Sequence, residues 1–338
     1  MTRHTTLMFL KKDGKILLGL KKRGFGLGKL IGVGGKLEKG ETVEEAAIRE
    51  TFEEINVTVT KMEHMADIVF DNLYYKGIPE RHMMHVFIGT KWTGVPEETD
   101  EIKPQWVSLS DIPYNKMWID NPHWLPDVLR GNKIEGWFYF NEDDVFTDFW
   151  VKPLPTECIS RITDENVGLK NTGEDSSNFV IREGARAVLL NEKKQVALIH
   201  STNRGWYKLP GGGREKDELI YENLKREILE ETGYEIKNVK PLGYEINVRS
   251  QWRMIGKAYL YLCETGKFTG KEPMQDEIED GDVLEWFDGF DKAIAALESV
   301  KLDKIGFYGA YFFTRREIDT LKYAKQELER KRRTQTAR

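Results

Sequence analysis

The sequence predicts an α+β protein of 338 residues in which one domain occurs twice. Three observations carry that reading. Gly212, Glu218, Arg226, Glu227, Glu230 and Glu231 repeat Gly35, Glu41, Arg49, Glu50, Glu53 and Glu54 at a constant offset of 177 residues, which signals duplication of a whole domain. Each copy is preceded by two apolar, β-prone runs around a turn and followed by further runs of that kind. Between residues 153 and 182 the composition shifts to Pro, Thr, Ser, Asn, Gly and Asp, as in a linker. The domains are therefore drawn at 1–153 and 183–338, with 154–182 joining them, and each is long enough to bury a core of its own.

In the first domain, residues 5–10 and 16–20 read as strands split by the turn Lys11-Lys12-Asp13-Gly14. Lys21 to Gly28 form a basic, glycine-rich loop leading to Gly34 and Gly35, and its free backbone suits a phosphate. Thr42 and Glu45 make a capping box that opens the helix carrying Glu50, Glu53 and Glu54. Strands are expected at 66–70 and 83–90, then at 105–109 before a short helix near Ser110. A helix at 121–129 and a hairpin of 137–140 with 145–151 complete the domain.

Within the linker, 158–162 reads as a short ordered piece. The second domain repeats the hairpin at 185–190 and 195–200, and residues 206–210 lead into the second carboxylate helix. Asp217 is expected to cap that helix at its start and Gly233 at its end. Strands follow at 242–248, 257–265 and 284–287. Residues 293–297 and 305–313 are apolar packing segments, and 315–333 is a charged helix with a solvated basic end.

Composition excludes some roles. Hydrophobic residues at 40% and aromatic residues at 11% belong to a globular protein, and a net charge of −5 gives no general affinity for nucleic acid or anionic membrane. Two cysteines far apart suggest a reducing compartment. No apolar run approaches the roughly 20 residues of a membrane span, and residues 1–12 have too short an apolar core for a signal peptide. A cytoplasmic location is expected.

The chemistry lies in the repeated helix. Glu227, Glu230 and Glu231 stand at i, i+3 and i+4, so three carboxylates share one face and repel one another unless a cation joins them. Hard oxygen donors favour Mg²⁺ or Mn²⁺. Both copies resemble the Nudix box, G-x5-E-x7-R-E-U-x-E-E-x-G-U with U apolar. The second matches at every position; the first has Thr51 at an apolar position and Asn56 in place of the last glycine. Residues 3–152 further resemble the animal-type MutT homologues, the oxidised-purine nucleoside triphosphatases. The resemblance runs through Lys21 to Phe25, Gly34-Gly35-Lys36, Ile68-Val69-Phe70, His85-Val86-Phe87, Met117-Trp118-Ile119-Asp120 and Gly136-Trp137-Phe138-Tyr139-Phe140.

That resemblance implies an α/β/α sandwich with a mixed sheet in each domain. It implies hydrolysis of 8-oxo-dGTP or a related triphosphate to monophosphate and pyrophosphate. The metal would be held by Gly35, Glu50, Glu53 and Glu54, and in the second copy by Gly212, Glu227, Glu230 and Glu231. Glu53, Glu101 and Glu230 are the candidates for the catalytic base. Thr5, Lys21, Phe25, Ile31, Phe70, Trp118, Asp120, Asn121 and Phe140 would surround a small nucleotide substrate, with the aromatic rings as walls for the base. Ile31 and Leu30 replace the family's Asn and Trp, and Asn121 replaces an aspartate, which alters how the base edge is read. Arg49 and Arg226 would orient the glutamates, Glu41 and Glu218 support the loop, and Glu277 or Glu279 serve as the second domain's accessory acid. The rival readings are a nucleotide-binding module in one domain, a different diphosphate substrate for the second domain, and, ranked lower, an RNA-end pyrophosphohydrolase using the basic tail.

Overall fold

The computed structural model describes residues 2–75, 78–141, 145–270 and 281–336. They form two compact units, Met1–Leu154 and Pro155–Arg338, each an α+β arrangement about a mixed sheet.

In the first unit, β1 (Arg3–Lys12) and β2 (Lys15–Lys21) form the expected hairpin, turning through Asp13 and Gly14 at φ of 50° and 70°. β1 also runs parallel to β5 (Ile78–Thr93), which pairs antiparallel with β4 (Thr58–Tyr75). β3 (Leu30–Ile31) and β6 (Ile102–Ser108) flank β2, while β7 (Ile134–Phe140) and β8 (Phe146–Pro153) extend the other edge beyond β4. The two-residue period of β1 shows how helices cover both faces. Phe9 joins Trp124, Leu125 and Val128 of α2 (Asn121–Leu129), whereas Met8 and Leu10 join Ala47 and Ile55 of α1 (Val43–Ile55). Thr42 and Glu45 make the expected capping box, and Asn56 ends α1 in the left-handed conformation at φ 58°. The helix expected near Ser110 is instead a turn closed by Asp111 N–H donating to the Ser108 carbonyl; a single 3₁₀ turn follows at Tyr114–Lys116, once Pro113 has fixed the chain direction.

The second unit orders its strands β12 (Trp206–Lys208), β11 (Val196–Ser201), β10 (Val180–Leu190), β15 (Met254–Phe268), β14 (Tyr234–Arg249) and β9 (Cys158–Ile162). β13 (Gly211–Gly213) lies beside β10 and β16 (Asp282–Phe287) beside β11. Among the described residues its α-helices are α3 (Ile220–Thr232), α4 (Phe290–Glu298), α5 (Leu302–Ile305) and α6 (Tyr308–Thr336).

Three expectations are corrected here. Residues 155–182 are not a free linker: β9 runs parallel to β14, as β7 does to β4, so the second copy takes its closing strand from in front of the domain. Fully buried Asp164 fixes that segment by accepting from Ser250 N–H (3.1 Å) and Tyr308 O–H (2.5 Å). Asp217 is not the cap of α3; it sits in the preceding turn at φ 60°, and the cap is Leu219, whose N–H donates to Glu222 (3.0 Å). The charged helix begins at Tyr308, not Arg315, continuous with the apolar segment; it buries Arg316 and Glu317, while its basic end at 330–333 is exposed. No helix among the described residues is long and apolar enough to cross a membrane.

Candidate active site

Each carboxylate set is assembled by one arginine a turn earlier on the same helix. Arg49 donates to both oxygens of Glu41 (2.8 and 2.9 Å), and its remaining terminal nitrogen reaches Glu50 (3.0 Å) and Glu53 (3.1 Å). Arg226 repeats this on Glu218 (2.8 and 3.0 Å), Glu227 (2.9 Å) and Glu230 (3.0 Å). The forked geometry holds the glutamates at fixed separations. Both glycines are required where the loop passes under the helix. A Cβ on Gly35 would lie 2.5 Å from the Glu50 carboxylate, and one on Gly212 would lie 2.2 Å from that of Glu227.

Glu54 and Glu231 turn inward and are tied to the loop by backbone. Glu54 accepts from Gly34 N–H (2.9 Å), and Glu231 from Gly211 N–H (2.6 Å). Burial pushes Glu50 and Glu54 above the usual carboxylate range, and the charge of Glu101 adds to the shift in both. Burial, then Glu231, does the same to Glu227. Crowded oxygen donors destabilised by one another fit a hard divalent cation. Among the described residues the His/Cys/Asp/Glu group whose ligand atoms all lie within 4.8 Å of one another is His64, Asp67 and His85, not either glutamate set, but there Asp67 Oδ1 is already paired with His64 (2.8 Å) and His85 (2.6 Å).

In the first unit a cavity of about 290 Å³ lies beyond the glycine loop. Phe25, Ile31, Phe70, Trp118, Asp120, Asn121 and Phe140 all line it. Phe25 is 71% exposed and stacks on Trp118 with ring centres 4.8 Å apart, forming an outer flap, while Phe70 and Phe140 meet edge-to-face at 6.0 Å inside. Asp120 is buried and accepts from Trp124 Nε1 (2.7 Å) and Asn121 Nδ2 (3.1 Å); burial raises its pKa above the usual carboxylate value. Two expected substrate residues lie elsewhere. Lys21 turns to Glu54 (3.1 Å) and Glu101 (2.5 Å), because a buried ammonium goes to the nearest carboxylates. Thr5 reaches the cavity only through His82, whose Nε2 pairs with its hydroxyl at 2.9 Å.

A family model described as the NUDIX domain matches residues 1–128 and again 180–304. The chain belongs to the Nudix family. An "Oxidized purine nucleoside triphosphate hydrolase" of Danio rerio is 40% identical over 143 residues, covering 42% of this chain and 90% of that protein. Its namesake in Mus musculus is 36% identical over 153 residues, covering 45% of this chain and 96% of the relative. Among solved structures, a MutT protein of Bacillus halodurans aligns with 44% of the chain and 97% of its own, at 21% identity and a TM-score of 0.39.

The two Nudix boxes differ in the lysine beside them. Lys21 ends β2, whereas Lys208 comes from β12, at the position that Ile31 holds in the first copy. It bridges Glu231 (2.9 Å) and Asp282 (2.9 Å), as Lys21 bridges Glu54 and Glu101. For Lys21, burial lowers the pKa, but the bond to Glu101 and the charge of Glu54 more than offset it. Glu277 and Glu279 lie outside the described residues; among those described, Asp282 is the acid that shares Lys208 with Glu231. Sequence reasoning missed Lys208 and Asp282, and also His82 and Met84 in the first cavity. Two-residue spacing on one strand was the available signal for the last two.

Proposed function

We propose that the first domain is a Mg²⁺-dependent pyrophosphohydrolase of oxidised purine nucleoside triphosphates, 8-oxo-dGTP or a close analogue. One observation carries this reading: an aromatic cavity lined also by buried Asp120 and Asn121 reaches Gly32, two residues before the Gly34 whose N–H holds Glu54. A flat purine stacks on such rings, and the polar pair can read its edge.

Glu50, Glu53 and Glu54, with the Gly35 carbonyl, would hold the metal. Bound there, it offsets charge on the phosphates and acidifies the attacking water. Arg49 keeps the carboxylates in register. Glu53, the most exposed of the three at 55% of its side chain, can take the proton from water. Glu101 is the weaker base, because Lys21 and Arg23 occupy its oxygens and hold its pKa below the ordinary range. Water oxygen bonds to phosphorus as the anhydride P–O bond breaks, and pyrophosphate leaves with the electron pair.

Anion-exchange product analysis on the intact chain, Glu53→Gln, Glu230→Gln and the double variant tests this with oxidised and normal purine triphosphates. Oxidised purines should be preferred, and Glu53→Gln should lower their turnover by about 10²-fold or more, with Glu230→Gln without effect. The reverse pattern would move the activity to the second domain and sink the assignment. The second domain reads as a hydrolase for another diphosphate, since its box is complete but its cavity has different walls.

A further inference from the structure

The second domain holds a cavity of the same size, about 290 Å³, at the corresponding place in its fold. Gly212 and Gly213 form one wall, so it opens onto the corner where Glu227 packs over Gly212. Strand register fixes the comparison. Thr5 pairs with Met84 and bridges to Lys36; Gly184 pairs with Ala258 and with Gly213. On that alignment Leu7 becomes Arg186, and Met84 becomes Ala258. Phe70 and His82, which pair across β4 and β5, become Asn247 and Gly256 across β14 and β15. The β-strand residues that make the aromatic wall are gone, and the aromatic rings that line this cavity, Trp252, Phe307 and Phe313, come from other segments.

Cations replace that wall. Arg182, Arg186, Arg249, Lys257 and Arg316 line the cavity, against the single lining carboxylate of Glu183. Arg316 comes from α6, a helix placed by the second unit's own C-terminal segment. Arg249 and Arg316 are 6% and 4% exposed, yet the Nε of each has no hydrogen-bond partner, and neither do the two amide atoms of fully buried Asn247. Folded proteins seldom leave buried donors unpaired, and such groups mark a missing ligand or ion. Phe313 lies 4.5 Å from the Arg249 guanidinium and 5.1 Å from that of Arg316, which orients both but gives them no acceptor. Two buried carboxylates, Glu245 and Glu317, stand near these guanidinium groups, with both oxygens of Glu245 and one of Glu317 also unpaired. Glu317 takes one nitrogen of Arg316 (2.5 Å), while burial pushes Glu245 up to about 8.

We propose that this cavity binds a phosphate monoester group of the substrate, so that the second domain acts on a diphosphate whose remainder carries a further phosphate. This rests on the reading of the second Nudix box as catalytic. A phosphate brings close to two charges and three acceptor oxygens, which answers several unpaired guanidinium and amide donors at once. A carboxylate supplies one charge and two oxygens. The hydrolysis itself is unchanged: water adds to one phosphorus of the anhydride, the other phosphate leaves with the bonding pair, and the monoester in the cavity stays intact.

Calorimetric titration of the full chain in EDTA tests the pocket without catalysis, using ribose 5-phosphate, ribose and citrate as probes. Ribose 5-phosphate should bind and ribose should not. Arg249→Gln should weaken binding by about thirtyfold or more, since one partner of a buried charge pair is lost, and Arg249→Lys by less. Glu230→Gln should leave metal-free binding unchanged. A rise in the wild-type unfolding temperature with ribose 5-phosphate gives the same answer without any variant. No binding, binding indifferent to Arg249→Gln, or tighter binding of citrate each overturns the proposal. Separately, Mg²⁺-dependent hydrolysis of 5-phosphoribosyl 1-diphosphate is measured with and without Glu230→Gln. If ribose 5-phosphate binds through Arg249 but that hydrolysis ignores Glu230, the pocket stands and the catalytic reading of the second box falls.

Discussion

Single residues of the first cavity make separable contributions. Trp118 offers the ring on which a base would stack, and base–aromatic stacking is worth about 1–3 kcal/mol on truncation. Trp118→Ala should therefore raise KM for an oxidised purine triphosphate by about tenfold or more, while Phe25→Ala, removing only the exposed outer flap, should cost less. Steady-state kinetics in a Glu230→Gln background would show it, and equal effects on kcat alone would deny both rings a binding role. His82 gives a pH signature. Burial, then the charge of Arg3, holds it at about 4, with Glu80 opposing and His4 and Lys36 adding to the effect. Its unfolded value is about 6.5, so the unfolded chain binds the extra proton. The stability from neutral His82 is complete above pH ~6.5 and is lost as pH falls toward 4, by roughly 2–3 kcal/mol. His64 has the opposite sign. Burial lowers its pKa, but Asp67 raises it further, so its contribution is present below ~6.5 and is lost as pH rises through the folded value. His82→Gln should flatten the acid limb of melting temperature against pH and leave the alkaline limb alone; an unchanged acid limb would refute the assignment.

At the scale of elements, β9 and α6 separate what the sequence made legible from what it did not. Hairpins, both carboxylate helices and α2 could be read, because alternating apolar runs, a capping box and terminal Asn or Gly are local signals. β9 was visible only as a short ordered piece: five residues do not say which edge they join, and pairing with β14 is decided some eighty residues away. The basic end of α6 reads as solvated, as charge runs usually are, and residues 330–333 are exposed. Yet Ala310, Glu317, Leu321 and Ala324 form one buried stripe, and packing against β9, β10, β12 and β14 takes Arg316 inside with them. Lys208 escaped notice since the first copy brings its lysine from another strand. If 155–168 is an integral part of the second unit, Asp164→Ala should strand the Ser250 N–H and Tyr308 O–H and cost about 2–4 kcal/mol. Calorimetry should show the second unit's transition falling by several degrees with the first unaffected. Equal stability in the variant would restore those residues to the rank of a linker.

Across the whole molecule, duplication kept one half of the site and changed the other. The arginine-held carboxylates agree between copies to within 0.1 Å per contact, while the neighbouring cavity exchanged its strand-borne aromatic wall for a rank of cations beside Trp252, Phe307 and Phe313. A box retained so closely beside a changed pocket fits the proposal that both copies would use the same cation chemistry on different substrates. Each unit has its own core, so each should answer the metal on its own account. A ligand at about 100 times its Kd stabilises the folded form by about 2.7 kcal/mol. Titrating Mg²⁺ into the EDTA-treated chain should thus raise both unfolding transitions by several degrees. Glu53→Gln should remove the rise from the first transition and Glu230→Gln from the second, with the double variant showing neither. If Mg²⁺ moves neither transition in the wild type, the glutamates are structural partners of Arg49 and Arg226 and no more. If one substitution abolishes both shifts, the copies do not bind metal independently, and the duplication has been joined into a single working site.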